Sequence, residues 1–221
     1  MDLEQDVKTH TKRVESGERV RYAQACPHCG AADEKPFRLY DCRRRKFRLA
    51  IEQCIQVALS WILRWRCLRC GKRFTDYPFF ALPRKRFTKR PVLEKANEYL
   101  GTDHTYRKTV EDEGMAIVYD DRIRTEKKQP VGLAPSTVWR WLSWLGGMPG
   151  TLRGALNLIR QKEPNSTLHR QPWVIPSRKY RSVKRREALD QAMQLLVADR
   201  VCEGLLGEGI FPRYAISQGW S

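Results

Sequence analysis

Two CxxC pairs constrain this chain more than any other feature of its sequence. The first pair is Cys26 and Cys29, the second is Cys67 and Cys70, and a glycine follows each. Four thiolates at this spacing can surround one metal ion tetrahedrally, because each short loop brings two sulfurs within reach of it. The glycines permit tight turns that aim backbone amides at the sulfurs. A catalytic zinc keeps an open position, so this set predicts one structural Zn²⁺ and not a reaction centre.

The other cysteines and the hydropathy pattern indicate the environment of the chain. Seven cysteines, four of them in metal-ligand spacing, fit a reducing compartment better than a disulfide scaffold. We interpret Cys42, Cys54 and Cys202 as small buried hydrophobes. No segment approaches the ~20 apolar residues that span a bilayer, and the N-terminus lacks the apolar core of a secretory signal. We therefore expect a cytoplasmic protein without a membrane partner.

Positive charge is concentrated around the cysteine pairs. The 221-residue chain has a net charge of +17, of which residues 1–90 carry +12, residues 91–150 carry −1 and residues 151–221 carry +6. A basic face kept only for solubility would not explain why the excess gathers near the predicted metal site. The asymmetry is typical of a surface that binds the phosphates of nucleic acid.

The apolar pattern predicts an α+β fold that begins with a small β zinc ribbon. Residues 1–20 are polar and without apolar period, which indicates a flexible arm. Residues 21–87 form the ribbon, and β-branched and aromatic residues there predict short strands. These strands cover 37–40, 58–65 and 72–77. Metal binding would staple them, because so small a sheet lacks a sufficient core. The long stretch between the cysteine pairs predicts an extra strand or helix over 43–56.

The second half of the chain is predicted to be helical. Residues 88–148 form a three-helix region of helix-turn-helix type, with a first helix from Pro91, a second from 103 or 105 to 114, and a third over 135–145. Residues 115–133 between the last two are an inserted loop, either a plain surface loop or a wing against DNA. Residues 149–221 are a helical C-terminal segment, with a short helix over 152–160 and a long amphipathic helix over 183–206.

The third predicted helix has the pattern of a helix that reads DNA. At ~100° per residue, Val138, Trp141, Leu142 and Leu145 share one face and would pack on the two preceding helices. Ser136 and Arg140 point the opposite way, and Thr137 lies on the flank. Arginine can bind a guanine edge through two hydrogen bonds, while serine and threonine reach bases or phosphates. An ordinary amphipathic core helix with a serine cap would show the same pattern.

These segments together resemble a known family. CPHCG, RWRCLRCGKRFTDYP, ALPRKRF and LAPSTVWRWLSWLG are similar to the zinc-ribbon and helix-turn-helix DNA-binding proteins of bacterial mobile elements, the transposase type, including small members without a nuclease domain. The resemblance covers residues 24–148. It implies zinc ligation by the four cysteines of the CxxC pairs, DNA reading by Ser136, Thr137 and Arg140, and a bacterial, nucleoid-associated protein.

We expect no enzymatic activity from this chain. An acidic-triad nuclease needs three carboxylates converging on two metal ions from a sheet with interleaved helices. After residue 150 only 71 residues follow, and most of their carboxylates fall on one helix. His104 and Arg107 have the H-x-x-R spacing of a tyrosine-recombinase site, but they fall at the start of the second predicted helix. An independent catalytic fold does not fit.

The expected function is sequence-specific binding of double-stranded DNA, as an accessory factor or repressor of a mobile element. Basic residues would neutralise phosphates and set the affinity, while the third helix reads bases. The predicted phosphate contacts are Arg43, Arg44, Arg45, Lys46, Arg48, Lys72, Arg73, Arg84, Lys85, Arg86, Arg185 and Arg186. The alternative is a zinc-ribbon module that docks onto protein or RNA in a recombination or transcription complex. In RNA binding, Phe47, Trp61 and Trp65 would stack on bases.

Two questions about partners stay open on the sequence alone. A transposase or recombinase is a possible partner of such a protein, and the sequence names none. The apolar face of the helix over 183–206 would either close a core within the chain or pair with a second copy as a homodimer. The basic run that contains Arg185 and Arg186 would either bind phosphate or only solvate the start of that helix.

Overall fold

A computed structural model gives a mixed helix and strand fold. It describes residues 3–32, 36–51, 54–111, 116–119, 133–167, 179, 182–207 and 209–211. The chain divides into two compact units. Unit 1 comprises Met1–Lys89, Met115–Val131 and Phe211–Ser221, and unit 2 comprises Arg90–Gly114 and Gly132–Ile210. The first division falls at residue 89, and the residues of unit 2 come from both the predicted three-helix region and the predicted C-terminal segment.

Unit 1 is built on one long antiparallel hairpin. Strand β1 (Phe37–Ile51) pairs with strand β2 (Cys54–Cys67) over nearly its whole length, from Phe37 opposite Cys67 to Ile51 opposite Cys54. A bulge interrupts the register between Leu39 and Asp41. The extra element predicted over 43–56 is therefore the tip of this hairpin, and the short strands predicted at 37–40 and 58–65 are parts of longer ones.

The outer edge of β2 carries two short strands end to end. Strand β3 (Arg73–Asp76) runs antiparallel to Leu63–Arg66, and strand β4 (Ala116–Tyr119) runs parallel to Cys54–Val57. The prediction of an inserted loop over 115–133 is wrong for β4, which completes the sheet through backbone pairing. If this segment were a wing, its cations Arg122, Arg124, Lys127 and Lys128 would meet the DNA backbone; they lie outside the described residues.

The N-terminal arm predicted over 1–20 is instead a helix, α1 (Leu3–Glu15), that packs on β2. Val7, His10 and Thr11 are buried. The Thr11 hydroxyl lies 2.8 Å from the Ser60 hydroxyl, and His10 Nε2 donates to the Trp61 carbonyl at 3.0 Å. Two of the three buried residues are polar, which is why the apolar period failed to reveal this helix.

Five helices make up most of the described part of unit 2: α2 (Lys89–Gly101, whose first residue belongs to unit 1), α3 (Lys108–Glu111), α4 (Pro135–Gly146), α5 (Pro149–Lys162) and α6 (Val183–Leu206). The predicted bounds of α6 are confirmed, and those of α2 and α4 agree within two residues. The second predicted helix begins later than predicted, at Lys108 in α3, and its predicted end at 114 lies outside the described residues. Residues 102–107 before it form bends and turns that the threonine side chains support, such as Thr102 on Glu98.

Helix α4 packs chiefly against α6, and not mainly on the two preceding helices as predicted. The predicted face of Val138, Trp141, Leu142 and Leu145 is buried. At the end of α4, Gly146 lies so close to α6 that a Cβ atom there would come within 2.1 Å of the Ala188 carbonyl oxygen. The apolar face of α6 is accordingly used inside the unit, against α4 and α5.

No helix among the described residues is both long enough and apolar enough to cross a bilayer.

Candidate metal centre and basic surface

The two CxxC segments form equivalent turns. In the first, the Cys26 amide donates to the Ala31 carbonyl and the Gly30 amide to the Cys26 carbonyl; in the second, the Cys67 amide donates to Lys72 and the Gly71 amide to Cys67. Both glycines adopt positive φ, 69° and 72°, a conformation that a side chain would strain. The glycine after each pair is therefore required by the turn, as the sequence predicted.

The four thiols converge on one point. The Sγ atoms of Cys26 and Cys70 lie 3.8 Å apart, those of Cys29 and Cys67 lie 3.7 Å apart, and all four lie within 4.8 Å of one another. A tetrahedral zinc with Zn–S bonds of ~2.3 Å requires sulfurs ~3.8 Å apart. Four cysteines can therefore bind one metal ion here, and a closed set of soft thiolates is compatible with zinc.

The surroundings of the thiols shift the pKa values of Cys26 and Cys67 in opposite directions. Burial raises the pKa of Cys26. Burial also acts to raise the pKa of Cys67, but backbone amides of Cys70 and Arg69 and the neighbouring thiols outweigh it and lower the pKa overall. Amide donors stabilise the negative sulfur, which is the form that binds a metal.

The centre is anchored to a small apolar cluster. Cys26, Ala31 and Cys67 are buried together, and Phe37 packs against them. His28, inside the first CxxC pair, does not belong to the cluster of four possible ligands; its Nε2 donates to the Arg73 carbonyl at 3.2 Å and so joins the first turn to β3. Of the other cysteines, Cys202 is buried as predicted, whereas Cys42 is exposed on β1, which contradicts its predicted burial.

Two basic runs far apart in sequence lie side by side on unit 1. The backbone of Arg48 in β1 accepts from Thr88 and donates to the Arg86 carbonyl. Three residues before Arg48 in β1, the Arg45 guanidinium donates to the Lys85 carbonyl at 2.8 Å. The structure thus brings seven of the predicted phosphate contacts together where β1 meets the segment 85–88, although neighbouring residues of β1 point to opposite faces of the sheet; these are Arg43, Arg44, Arg45, Lys46, Arg48, Lys85 and Arg86.

The predicted phosphate contacts on this surface differ in their exposure to solvent. Arg43, Arg44, Lys46 and Arg86 are exposed, while Arg45 and Arg48 are half-buried. Burial lowers the pKa of the half-buried Lys85. The exposed side chains are thus the ones best placed to meet a ligand.

The remaining predicted contacts of unit 1 lie nearer the turns. Arg84 is exposed and has φ 59°, a left-handed conformation that is uncommon without glycine. Lys72 and Arg73 are exposed beside the second cysteine turn. They are therefore positioned by the metal centre itself, since Lys72 supplies the carbonyl that closes that turn.

The predicted base-reading residues share the exposed side of α4. Ser136 and Arg140 are exposed and Thr137 is half-exposed, opposite the buried face. Trp139, on the flank, is 48% exposed. This arrangement leaves three polar side chains of α4 available to a ligand of unit 2.

The two C-terminal arginines differ in their contacts. Arg185 is half-buried and bound to neighbours within unit 2: it donates to the Ser143 hydroxyl at 3.0 Å and to the Tyr106 hydroxyl, and its guanidinium lies 5.7 Å from the Trp139 ring centre. Arg186 is exposed beside Asp190, with 3.7 Å between Nε and Oδ2. Arg185 is thus engaged by protein groups, while Arg186 keeps most of its surface in solvent.

Sequence reasoning missed two exposed arginines, Arg38 and Arg66. They stand opposite each other on β1 and β2, and Arg66 also stands opposite Arg73 on β3. Only the strand register reveals this, because 27 positions separate the first two in sequence and a bulge shifts the pairing between them. No run of basic letters signals them.

Comparison with known proteins adds no family: no family model, no curated protein and no solved structure matches this chain.

Proposed function

We propose that this protein is a zinc-stabilised, non-enzymatic protein that binds double-stranded DNA, serving a bacterial mobile element as accessory factor or repressor. Unit 1 would be its zinc ribbon, with one Zn²⁺ held by Cys26, Cys29, Cys67 and Cys70. Unit 2 would carry the reading helix of a modified helix-turn-helix. The mobile-element role rests on the resemblance of the sequence motifs alone.

The observation that carries the proposal is the joined basic surface of unit 1. Backbone pairing between Arg48 and the segment 86–88 brings two basic runs together on unit 1. Strands β1, β2 and β3 contain nine arginines and lysines and two carboxylates, Asp41 and Asp76. Asp76 is buried, so nearly all of the exposed charge of the sheet is positive. Such a field attracts polyanions and neutralises phosphates irrespective of base sequence.

The metal would serve this surface by fixing the base of the hairpin. Phe37 and Cys67 are paired at the open end of β1 and β2, and Cys67 is a ligand of the cluster. A bound ion would tie this end to residues 26–31 and hold the register that aligns the basic side chains. Structural zinc sites contribute folding free energy in this way, without chemistry.

Sequence preference would come from α4. Ser136, Thr137 and Arg140 project from the side opposite its buried face. Removal of the Arg140 side chain should cost ~1–3 kcal/mol and relax preference at one base pair. Because α3 is a single turn, α4 would depend on α6 for support more than a compact helix-turn-helix does.

The aromatic support for the RNA-docking alternative is removed by the positions of its residues. Phe47 and Trp65 are buried at 0% and 5% exposure, so neither is free to stack on a base. Trp61 is half-buried, and its ring is covered by the Arg44 guanidinium at 4.9 Å. We therefore favour duplex DNA, which is bound through grooves and phosphates.

The decisive experiment is selection of random duplex DNA on zinc-loaded protein at about physiological salt, followed by sequencing. A sharp motif is the expected result. A repeated half-site with fixed spacing would add that two copies bind together. A flat profile with salt-sensitive binding would reject sequence-specific reading, and failure to bind any duplex would reject the proposal as a whole.

Matched variants then separate reading from charge. Arg140→Ala should affect cognate DNA more than scrambled DNA, while Arg160→Ala, an exposed arginine on α5, serves as its control. Replacement of Lys85 and Arg86 by glutamine should weaken binding to all sequences and reduce the salt slope by about 2. Equal loss on cognate and scrambled DNA after Arg140→Ala would remove α4 from the reading role.

A further inference from the structure

A row of three arginines crosses the sheet of unit 1 at the metal end. Arg38 on β1 is paired with Arg66 on β2, and Arg66 is paired with Arg73 on β3. Directly opposed residues of antiparallel strands lie on the same face. Since neighbouring strands are ~4.8 Å apart, the row spans ~10 Å. We call these three residues the arginine row.

The arginine row lies on the open face of the sheet. All three residues are exposed. Trp65 and Phe74, their neighbours in sequence, point to the other face, where they are buried. In the described part of the chain, no carboxylate pairs with Arg38 or Arg66. At the metal end, the sheet thus buries Trp65 and Phe74 on one face and exposes the three arginines on the other.

Neighbouring side chains orient the row. The Arg73 guanidinium stacks over the Tyr40 ring at 3.8 Å and donates to its hydroxyl at 2.7 Å. Tyr40 is the residue released by the bulge in β1, and 44% of it is exposed. The nearest carboxylate in the strands, Asp41, is shared by Arg43 and Arg64 at 3.2 and 3.1 Å. Its charge is therefore satisfied by other cations and leaves the row uncompensated.

Like charges at directly opposed positions destabilise a sheet. Here three occur in succession, at the end of the hairpin that lies beside the cysteine cluster. We propose that the arginine row binds successive phosphates along one strand of nucleic acid, so that the open face of the sheet lies against the sugar–phosphate backbone. This inference rests on the proposed function and gives it a docking face.

The chemistry of the row fits phosphodiesters. A guanidinium binds phosphate oxygens through two parallel hydrogen bonds, and stacking on an aromatic ring fixes its plane. Phosphates of one duplex strand follow at ~3.4 Å of axial rise, so ~10 Å covers about three of them. Contacts of this kind orient a protein on the duplex and carry no base information. The row would therefore set position, and α4 the sequence preference.

The test compares two triple variants of the full-length, zinc-loaded protein. R38Q/R66Q/R73Q removes the row, and R153Q/R160Q/R200Q removes three exposed arginines from unit 2, so both lose the same net charge. Binding to a duplex of fixed sequence is measured across a salt series. We expect the row variant to lose about 2–3 from the slope of log K against log salt, and the control variant to keep the wild-type slope within about 0.5.

Two additions make each outcome decisive. Zinc content and circular dichroism verify folding, and R66Q alone, with an expected slope loss of about 1, replaces the triple variant if that fails to fold. Inorganic polyphosphate is titrated in parallel. Unchanged slopes in the row variants overturn the inference even when the wild type binds DNA. Row-dependent binding of polyphosphate by a protein that ignores duplex DNA would instead reject the proposed function and keep a phosphate site. Loss of slope equal in both triple variants would show only bulk charge and also overturn the row.

Discussion

The two units are stabilised by different means. Unit 2 has a broad aliphatic core, in which α4, α5 and α6 bury leucines and isoleucines almost completely; examples are Leu142, Leu145, Leu189, Leu195 and Ile159. At the metal end of unit 1, the cysteine turns bury a small cluster of Cys26, Ala31 and Cys67, and Phe37 joins it to the buried Trp65 and Phe74 of the sheet. An aliphatic core is indifferent to metal and acid, whereas a thiolate cluster is not. The difference indicates that metal and acid should affect the cysteine turns of unit 1, and the cations beside them, more than the helices of unit 2.

Metal removal should produce the largest difference between the two units, measured as loss of protection from hydrogen exchange. Chelation or Cys67→Ser should deprotect residues 20–31 and β3 by orders of magnitude in hydrogen exchange, because a structural zinc contributes ~10–16 kcal/mol in small domains. The helices α4 to α6 should change less than twofold. Cys42→Ser, at an exposed cysteine outside the cluster, is the matched control. Equal deprotection of α6 would contradict independent stabilisation, and an unchanged β3 would contradict a structural metal.

A second comparison probes the packing of unit 2. Gly146→Ala should destabilise that unit by ~2–3 kcal/mol or more, because the new Cβ meets the backbone of Ala188, which cannot move alone. Gly204→Ala, in α6 with nothing within 4 Å, should stabilise the helix by ~0.5–1 kcal/mol. Urea unfolding followed by a probe in unit 2 measures both. A neutral Gly146→Ala would show that α4 does not approach α6 as closely as described.

Acid should weaken unit 1 through His10. Burial lowers the pKa of His10 from 6.5, so its contribution to stability is complete above pH 6.5 and declines as the pH falls below that value toward the lowered pKa. Asp76 acts with the opposite sign, because burial raises its pKa from 3.8 to about 6 despite hydrogen bonds from the Tyr22 and Ala23 amides.

His10→Gln isolates the histidine term from that of Asp76. Glutamine can still donate to the Trp61 carbonyl, so the variant should lose only ~1 kcal/mol at pH 7.5. The gap in unfolding free energy between wild type and variant should shrink from pH 8 to pH 5, as measured by urea titrations of a unit 1 probe. A gap independent of pH would mean that His10 is not held neutral.

Sequence patterns predicted what depends on local spacing. The cysteine pairs gave the metal cluster, and the period of Leu189, Met193 and Leu196 gave α6 with its bounds. Helix α1 escaped because its buried side chains include His10 and Thr11, whose burial is satisfied by hydrogen bonds and not by apolar contact. The length of the hairpin was not predicted because the run 43–48 is mostly charged and several of its side chains are exposed, so β1 lacks the alternation of apolar and polar residues there.

Features that depend on register could not be predicted. The parallel pairing of β4 with β2 joins residues 62 positions apart, and no local sequence pattern indicates it. The arginine row requires both the bulge at Tyr40 and the alignment of three strands. Such arrangements depend on how distant strands pair in the sheet, whereas a cysteine turn depends on a motif of five consecutive residues.

The position of α1 has a consequence for the solution behaviour of the protein. Between β3 and β4, the described strands leave residues 58–62 of β2 without a strand on that side, and His10 binds the Trp61 carbonyl there. An open strand edge is a template on which another chain can add. By covering this part of β2, helix α1 should hinder the addition of another chain. A shortened chain that begins at residue 20 should therefore precipitate or self-associate, even with its metal and cations intact.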